Sequence, residues 1–289
     1  IVDPASLLTD KKKKSAKTDK IDVHKILRAL KLWHEGDREA CSMVDVPTPE
    51  QEDERRAVRE AQRMKKQQTR HLTVISNLLA LHGIRTFKPL RRDWREQLER
   101  LQTADGRPLP ARLKAEITRE CECLHYLRGQ LRQVVREDKA RRRAAKRSAE
   151  GKQPEEKTAL EQRAELIEHL KTLRGVGDVG ASVLVDEVFF RSFRNRQEVA
   201  GYVGLTPQPH SSGAKDTDQG LDKAGNALAR WAMIQLTWRW LYFQPDSALS
   251  QWFQEQVGNA RGRLRRIKVV AVARKLLIAL WRYVTQGIV

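Results

Sequence analysis

What this sequence has little of narrows it first. Three cysteines in 289 residues, Cys41, Cys121 and Cys123, make no disulfide framework of the kind that staples small secreted domains. Cys121 and Cys123 are two apart, which on a helix points them to different sides and argues against a structural zinc site. No apolar run approaches the length of a bilayer crossing. Acid is scarce beside base: 37 Asp and Glu against 56 Lys and Arg leave a formal charge of +19. That excess exceeds what solubility asks for and points to a polyanion, nucleic acid ahead of a membrane surface. From Gln256 to Val289 there is no acid at all. The opening Ile1-Val2-Asp3-Pro4 is neither a secretory signal nor an ordinary translation start, so the chain reads as a cytoplasmic protein whose beginning lies upstream.

The length allows two or three compact units, and shifts in composition place them at residues 1–49, 50–158 and 159–289. In the first, KTDKIDVHKILRAL sets Asp19 and Asp22 three apart at the start of a helical pattern, where both carboxylates can face one way. Two carboxylates are the minimum holder for a hard ion such as magnesium (Mg2+), and Lys17 beside them can receive a phosphate. Acids in a first helical turn also simply offset the helix dipole.

Pro47 and Pro49 open the second unit. Residues 50–83 predict one helix with an apolar stripe through Val58, Ala61, Met64, Leu72, Ile75 and Leu79, stopped by Gly83. Residues 110–147 predict another, where Ile117, Leu124 and Leu131 recur every seven, broken at one inner position by Glu120. The two are expected to pair as an antiparallel coiled-coil arm. The second helix carries a basic run from Arg128 to Arg147, including Arg132, Arg136, Arg141 and Arg142, with no aromatic residue between. Such a run is either a solvated face or a phosphate contact, and base stacking is excluded there.

The third unit holds the richest stretch. A helix predicted over residues 155–173 leads into Arg174-Gly175-Val176-Gly177, and another pattern follows from Asp178, which reads as a helix–hairpin–helix. Both glycines are expected to supply backbone angles that other residues resist, and the amides around Val176, Gly177 and Asp178 to meet a phosphate. A tight turn between helices has the same glycines. The loop of residues 204–220 contains His210, Ser211, Ser212, Gly213 and Lys215, and here Ser212 is either a nucleophile or an ordinary turn residue. Lys223, Asn226 and Arg230, candidate nucleic-acid contacts, follow at the start of a helix whose Trp231, Trp238 and Trp240 are expected, from their helical spacing, in the core rather than as base-stacking platforms. Arg261, Arg263, Arg265, Arg266 and Lys268 then lead into a basic amphipathic helix suited to tracking phosphates.

In that order, KTDKID, LRGVGDVGASVLVDEV, YVGLTPQPHSSGAKDTDQGLDKAGNALAR and LRRIKVVAVARKLLIALWRYV resemble the transposases of the insertion-sequence 110/1111 lineage. The resemblance implies a mainly α protein comprising the C-terminal part of a RuvC-like (RNase H fold) α/β domain, a helical coiled-coil arm, and an α-helical transposase domain with a helix–hairpin–helix. It implies an RNA-guided recombinase acting on donor and target DNA, with a structured guide RNA, a dimer or tetramer, and no membrane. Ser212 corresponds to the nucleophile, and Asp19 and Asp22 to the last two of four metal-holding acids, the other two lying upstream of the K-T-D motif. Without them the chain alone is expected to be inactive. Two other readings share the residues: a non-enzymatic nucleic-acid-binding module, and a RuvC-like nuclease that cuts through an activated water.

Overall fold

The computed structural model describes residues 2, 19–41, 43, 46–212, 215–221 and 225–287, with backbone alone for residues 20, 21, 208–212 and 215–219. Lys17 and Lys223 lie outside the described residues. The chain divides into two compact units, Ile1–Pro49 and Glu50–Val289.

In the first unit, α1 (Asp19–His34) begins with Asp19 and Asp22 in its first turn and ends with Lys31 and His34 in its last, the charge order that suits a helix dipole. Ala29 and Cys41 are buried, with the Cys41 thiol directed at the Ala29 carbonyl. An isolated bridge joins Val2 to Met43.

In the second unit, α2 (Pro49–Ala80) and α4 (Ala111–Ala149) run antiparallel, with the short α3 (Trp94–Arg100) between them in sequence. Ile75 and Leu79 of α2, Trp94 and Leu98 of α3, and Ile117, Cys121 and Leu124 of α4 form one buried apolar cluster. Cys121 thereby fills an inner position between the heptad residues, and burial pushes its thiol up to about 12. Glu120, which interrupts the apolar pattern, is taken up by His71 of α2, whose Nδ1 lies 2.6 Å away.

The chain then turns through α5 (Ala159–Lys171), capped by Thr158 and Glu161 in a reciprocal capping box. There follow α6 (Asp178–Leu184), a π turn over Val185–Phe189, and α7 (Arg196–Val203). β1 (Pro207–Ser212) and β2 (Lys215–Leu221) pair antiparallel, and α8 (Ala227–Phe243), α9 (Ala248–Val257) and α10 (Arg263–Gln286) complete the unit. Ile167, Leu170, Leu184, Val188, Met233, Leu236, Leu276 and Leu277 make the main core, with Phe253, Val257, Val269 and Val272 as a second cluster under α9. The architecture is mainly α, as expected. The segment anticipated as a loop is instead a two-stranded hairpin, with its register shift falling between Pro207 and Pro209, where prolines without an N–H interrupt a ladder least. No helix among the described residues is long and apolar enough to cross a membrane.

Candidate nucleic-acid interface and serine hairpin

The Gly-Val-Gly turn links α5 to α6. Gly175 has φ +98°, a left-handed conformation that only glycine holds without strain, and added carbon there would meet the Arg239 carbonyl and the Phe243 side chain at 3.4 and 3.5 Å. Gly177 corrects the expectation that both glycines need unusual angles. It is extended (φ −91°, ψ 170°) as the cap of α6, a conformation open to any residue. Val176 is buried, whereas Arg174 is exposed. Arg239 of α8 and Gln244 just after it dock the turn: Arg239 Nε donates to the Gly175 carbonyl at 3.0 Å, and Gln244 Nε2 to the Arg174 carbonyl at 2.6 Å.

Asp178, the first residue of α6, accepts two hydrogen bonds from Arg142 of α4, at 3.1 and 3.0 Å, and lies 3.3 Å from Lys171. The Arg142 guanidinium, against the opposing effect of burial, holds this carboxyl down at about 2. The first-turn amides are thus joined by a carboxylate whose charge two cations already balance. Arg142 is itself only 6% exposed, which removes it from the surface expected of the basic run. Arg141 is shared with Glu54 at 2.6 Å and Arg128 donates to the Leu90 carbonyl, while Arg132, Arg136, Arg143 and Arg147 remain exposed.

Behind the turn lies a buried charge network that sequence reasoning missed. Asp186 accepts from Arg163 at 2.6 and 2.8 Å, and Asp138 bridges Arg163 and Arg142. Burial lifts Asp186 to about 6, with Arg163 pulling the other way. Glu187, 2% exposed, receives Arg55 and Arg59 of α2 and the amide of Asn226 at 3.0, 2.7 and 2.8 Å. Burial alone would raise Glu187; the hydrogen bonds from Arg59, Asn226 and Arg55 outweigh it and leave the carboxyl below its ordinary range. The available signal was an Asp-Glu pair set inside the apolar run VLVDEVFF, because acids in a buried helix need partners.

Asn226, expected on nucleic acid, is bound within the chain. Its amide oxygen accepts from Leu228 and Ala229 to cap α8, and its nitrogen reaches Glu187. It also closes the base of the hairpin, its N–H donating to the Tyr202 carbonyl at 2.8 Å. There Gly204, left-handed at φ 71°, meets Gly225 so closely that a Cβ on Gly225 would fall 2.3 Å from the Gly204 nitrogen and 2.7 Å from the Tyr202 oxygen. These two glycines clamp the ends of the hairpin. Ser212 is the last residue of β1, opposite Lys215 in register, and Ser211 is opposite Asp216. Arg230 is half-buried near the start of α8.

At the C-terminal end, Arg261, Arg263, Arg265 and Arg266 are exposed, and Lys268 is half-buried, donating to the Gln256 amide oxygen at 2.8 Å. Asp19 and Asp22 are exposed in the first unit, and among the described residues no group of three or more metal-ligating side chains occurs.

The profile of the family described as "Transposase IS116/IS110/IS902 family" matches residues 167–251, a span that runs from α5 through the turn, the network's acidic pair, the hairpin and α8. The whole chain is 44% identical to a putative transposase, y4rJ, of Sinorhizobium fredii, covering 72% of that protein. The chain belongs to this transposase family. Two further relatives are less similar. A transposase for the insertion sequence element IS1111A of Coxiella burnetii is 26% identical over 76% of the chain and 54% of its own length. A probable family 20 transposase of Pseudomonas aeruginosa is 25% identical over 93% of the chain and 73% of its own length. In this transposase, then, the profile match centres on the clamped hairpin and the elements that seat it.

Proposed function

We propose that this transposase cuts and rejoins DNA through Ser212, in an RNA-guided reaction at the ends of a mobile element. The observation that carries the reading is the hairpin: its ends are fixed by the Gly204–Gly225 contact and by Asn226, so the residues near its tip are presented from a rigid base. The Ser212 hydroxyl would attack a DNA phosphorus, forming the Oγ–P bond as the P–O bond to the departing deoxyribose oxygen breaks. The serine proton passes to a base, for which His210 is the nearest candidate in sequence, and the departing oxygen leaves as a hydroxyl. Attack by an incoming DNA hydroxyl on the phosphoserine reverses the exchange and frees the serine.

Asp19 and Asp22 offer exposed carboxylate oxygens, the donor type magnesium takes, and two such ligands leave positions for water and phosphate oxygens. When bound, that ion would neutralise charge on the phosphoryl oxygens. Lys17, Arg174, Gly175, Gly177, Lys215, Lys223, Arg230 and the arginines before and within α10 would contact phosphates of DNA and guide RNA, whereas Val176 is buried and its N–H already donates to the Leu173 carbonyl. The RuvC-like character of the first unit, a dimer or tetramer, and a cytoplasmic location complete the reading.

The test is covalent trapping. The full-length protein on a nicked suicide DNA should yield a protein–DNA adduct mapping to Ser212, lost in Ser212→Ala and kept in Ser211→Ala. DNA binding by Ser212→Ala should stay within about twofold, since no charge is removed. An adduct on another residue sinks the assignment, and cleavage without any adduct puts the water-activating nuclease in its place.

A further inference from the structure

Two of the three tryptophans of α8 depart from the expected core, while Trp240 packs against it. Trp240 is half-buried, its indole N–H donating to Ser247. Trp231 and Trp238, in contrast, are 37% and 38% exposed, and Tyr242 is 78% exposed. At 100° per residue these three fall within one 40° sector, a single outward stripe along ~16 Å of helix. Buried Ala229, Ala232, Met233 and Leu236 occupy the opposite side, so the helix already has its core contact without the stripe.

We propose that this outer face of α8 is a stacking platform for unpaired DNA bases, built from Trp231, Trp238 and Tyr242 and edged by Arg239 and Arg265. The Arg265 guanidinium lies over the Trp238 ring, 5.4 Å from its centroid, and Arg239 lies over Phe243 at 5.3 Å. Neither α8 nor α10 contains an acid. Aromatic faces interleaved with cations and free of carboxylates match a single strand, whose bases offer flat π-surfaces and whose backbone offers phosphates. A duplex does not fit, because its bases already stack on one another and show only their edges. A second copy of this chain does not fit either, since a twofold contact through this face would set arginine against arginine.

The choice of DNA rests on the proposed function. α8 starts at the cap Asn226 that closes the serine hairpin, which puts Trp231 about 7 Å of helical rise from that base. At the other end, Arg239 and Gln244 hold the Gly-Val-Gly turn. A strand opened for exchange at the hairpin would therefore have the stripe beside it.

The experiment compares a labelled single-stranded DNA oligonucleotide with a blunt duplex of equal length, at one salt concentration, on the full-length protein. Trp231→Ala and Trp238→Ala should each weaken single-strand binding about tenfold while duplex binding moves less than about twofold, and Trp238→Phe should restore most of the loss. Melting temperature, read alongside, should barely change for these exposed positions. Equal losses on strand and duplex, or no loss on either, overturn the proposal. So does a change in sedimentation without a change in binding, which would make the stripe a self-association face, or a loss confined to an RNA oligonucleotide. Selective loss of single-strand binding with no adduct at Ser212 would leave the platform standing and remove the serine mechanism.

Discussion

The two ends of the α2–α4 pair are held by opposite kinds of force. Far from the chain's main core, α2, α3 and α4 meet through Ile75, Leu79, Trp94, Leu98, Ile117, Cys121 and Leu124, each 3% exposed or less. Near that core, the same two helices present Glu54, Arg55, Asp138 and Arg142 to Arg163, Asp178, Asp186 and Glu187, with ion pairs where apolar contacts would otherwise be. Apolar packing is non-directional and tolerates sliding, whereas paired guanidinium and carboxylate groups accept one geometry. The contrast teaches that the base is the geometrically specified end. Through Glu187 and Asn226 that specification reaches the cap of α8 and the base of the serine hairpin.

The strongest way to break the comparison is at Glu187. Glu187→Ala would leave Arg55 and Arg59 facing a buried space without their carboxylate, and should cost about 3–5 kcal/mol in chemical denaturation. Replacing the pair together, Arg55→Met with Glu187→Leu, should cost markedly less than the single change, because the buried Arg55 is no longer stranded and the half-exposed Arg59 keeps Glu52. Equal losses for single and double variants would show that the pairing does not set the cost. At the other end, Leu124→Ala should cost about 3 kcal/mol by leaving a cavity, with little change in the hairpin's protection from hydrogen exchange. If the hairpin opened as readily as in Glu187→Ala, the two ends would not be distinct.

A pH titration sharpens the same contrast. Asp178 sits at about 2 when folded, below its ordinary 3.8, so its pairing stabilises the fold above pH 4 and is lost as the pH falls from about 4 to about 2. The contribution is roughly 2 kcal/mol at neutral pH. Arg142→Gln should flatten this part of the acid profile, and an unchanged profile would detach Asp178 from Arg142. The smallest effect belongs to the exposed pair Arg95–Glu122, 64% and 50% exposed, where Glu122→Gln should change stability by less than about 0.5 kcal/mol.

Much of this arrangement is legible in local pattern. The heptad of Ile117 and Leu124, the Thr158–Glu161 capping box and the glycine turn after Arg174 are set by residues a few positions apart, and the resulting helices appear close to where periodicity puts them. The short α3 was not anticipated, since seven residues carry too little periodicity to stand out and its Trp94 and Leu98 acquire their burial only from α2 and α4. The outward turn of Trp231 and Trp238 escaped for a related reason: helical spacing shows that they share a face, but not which face the core covers.

Helical character, the basic excess, the order of motifs and the family to which they belong are all readable along the chain. Each depends on composition or on neighbours along the chain. It takes the folded chain to show that Gly175 and not Gly177 needs a left-handed backbone, that Arg142 is buried while Arg174 is exposed, and that Gly225 must be small because Gly204 lies against it. Those properties belong to pairs that chain folding brings together, such as Arg55 with Glu187 across 132 positions, and no local spacing encodes which partner will arrive.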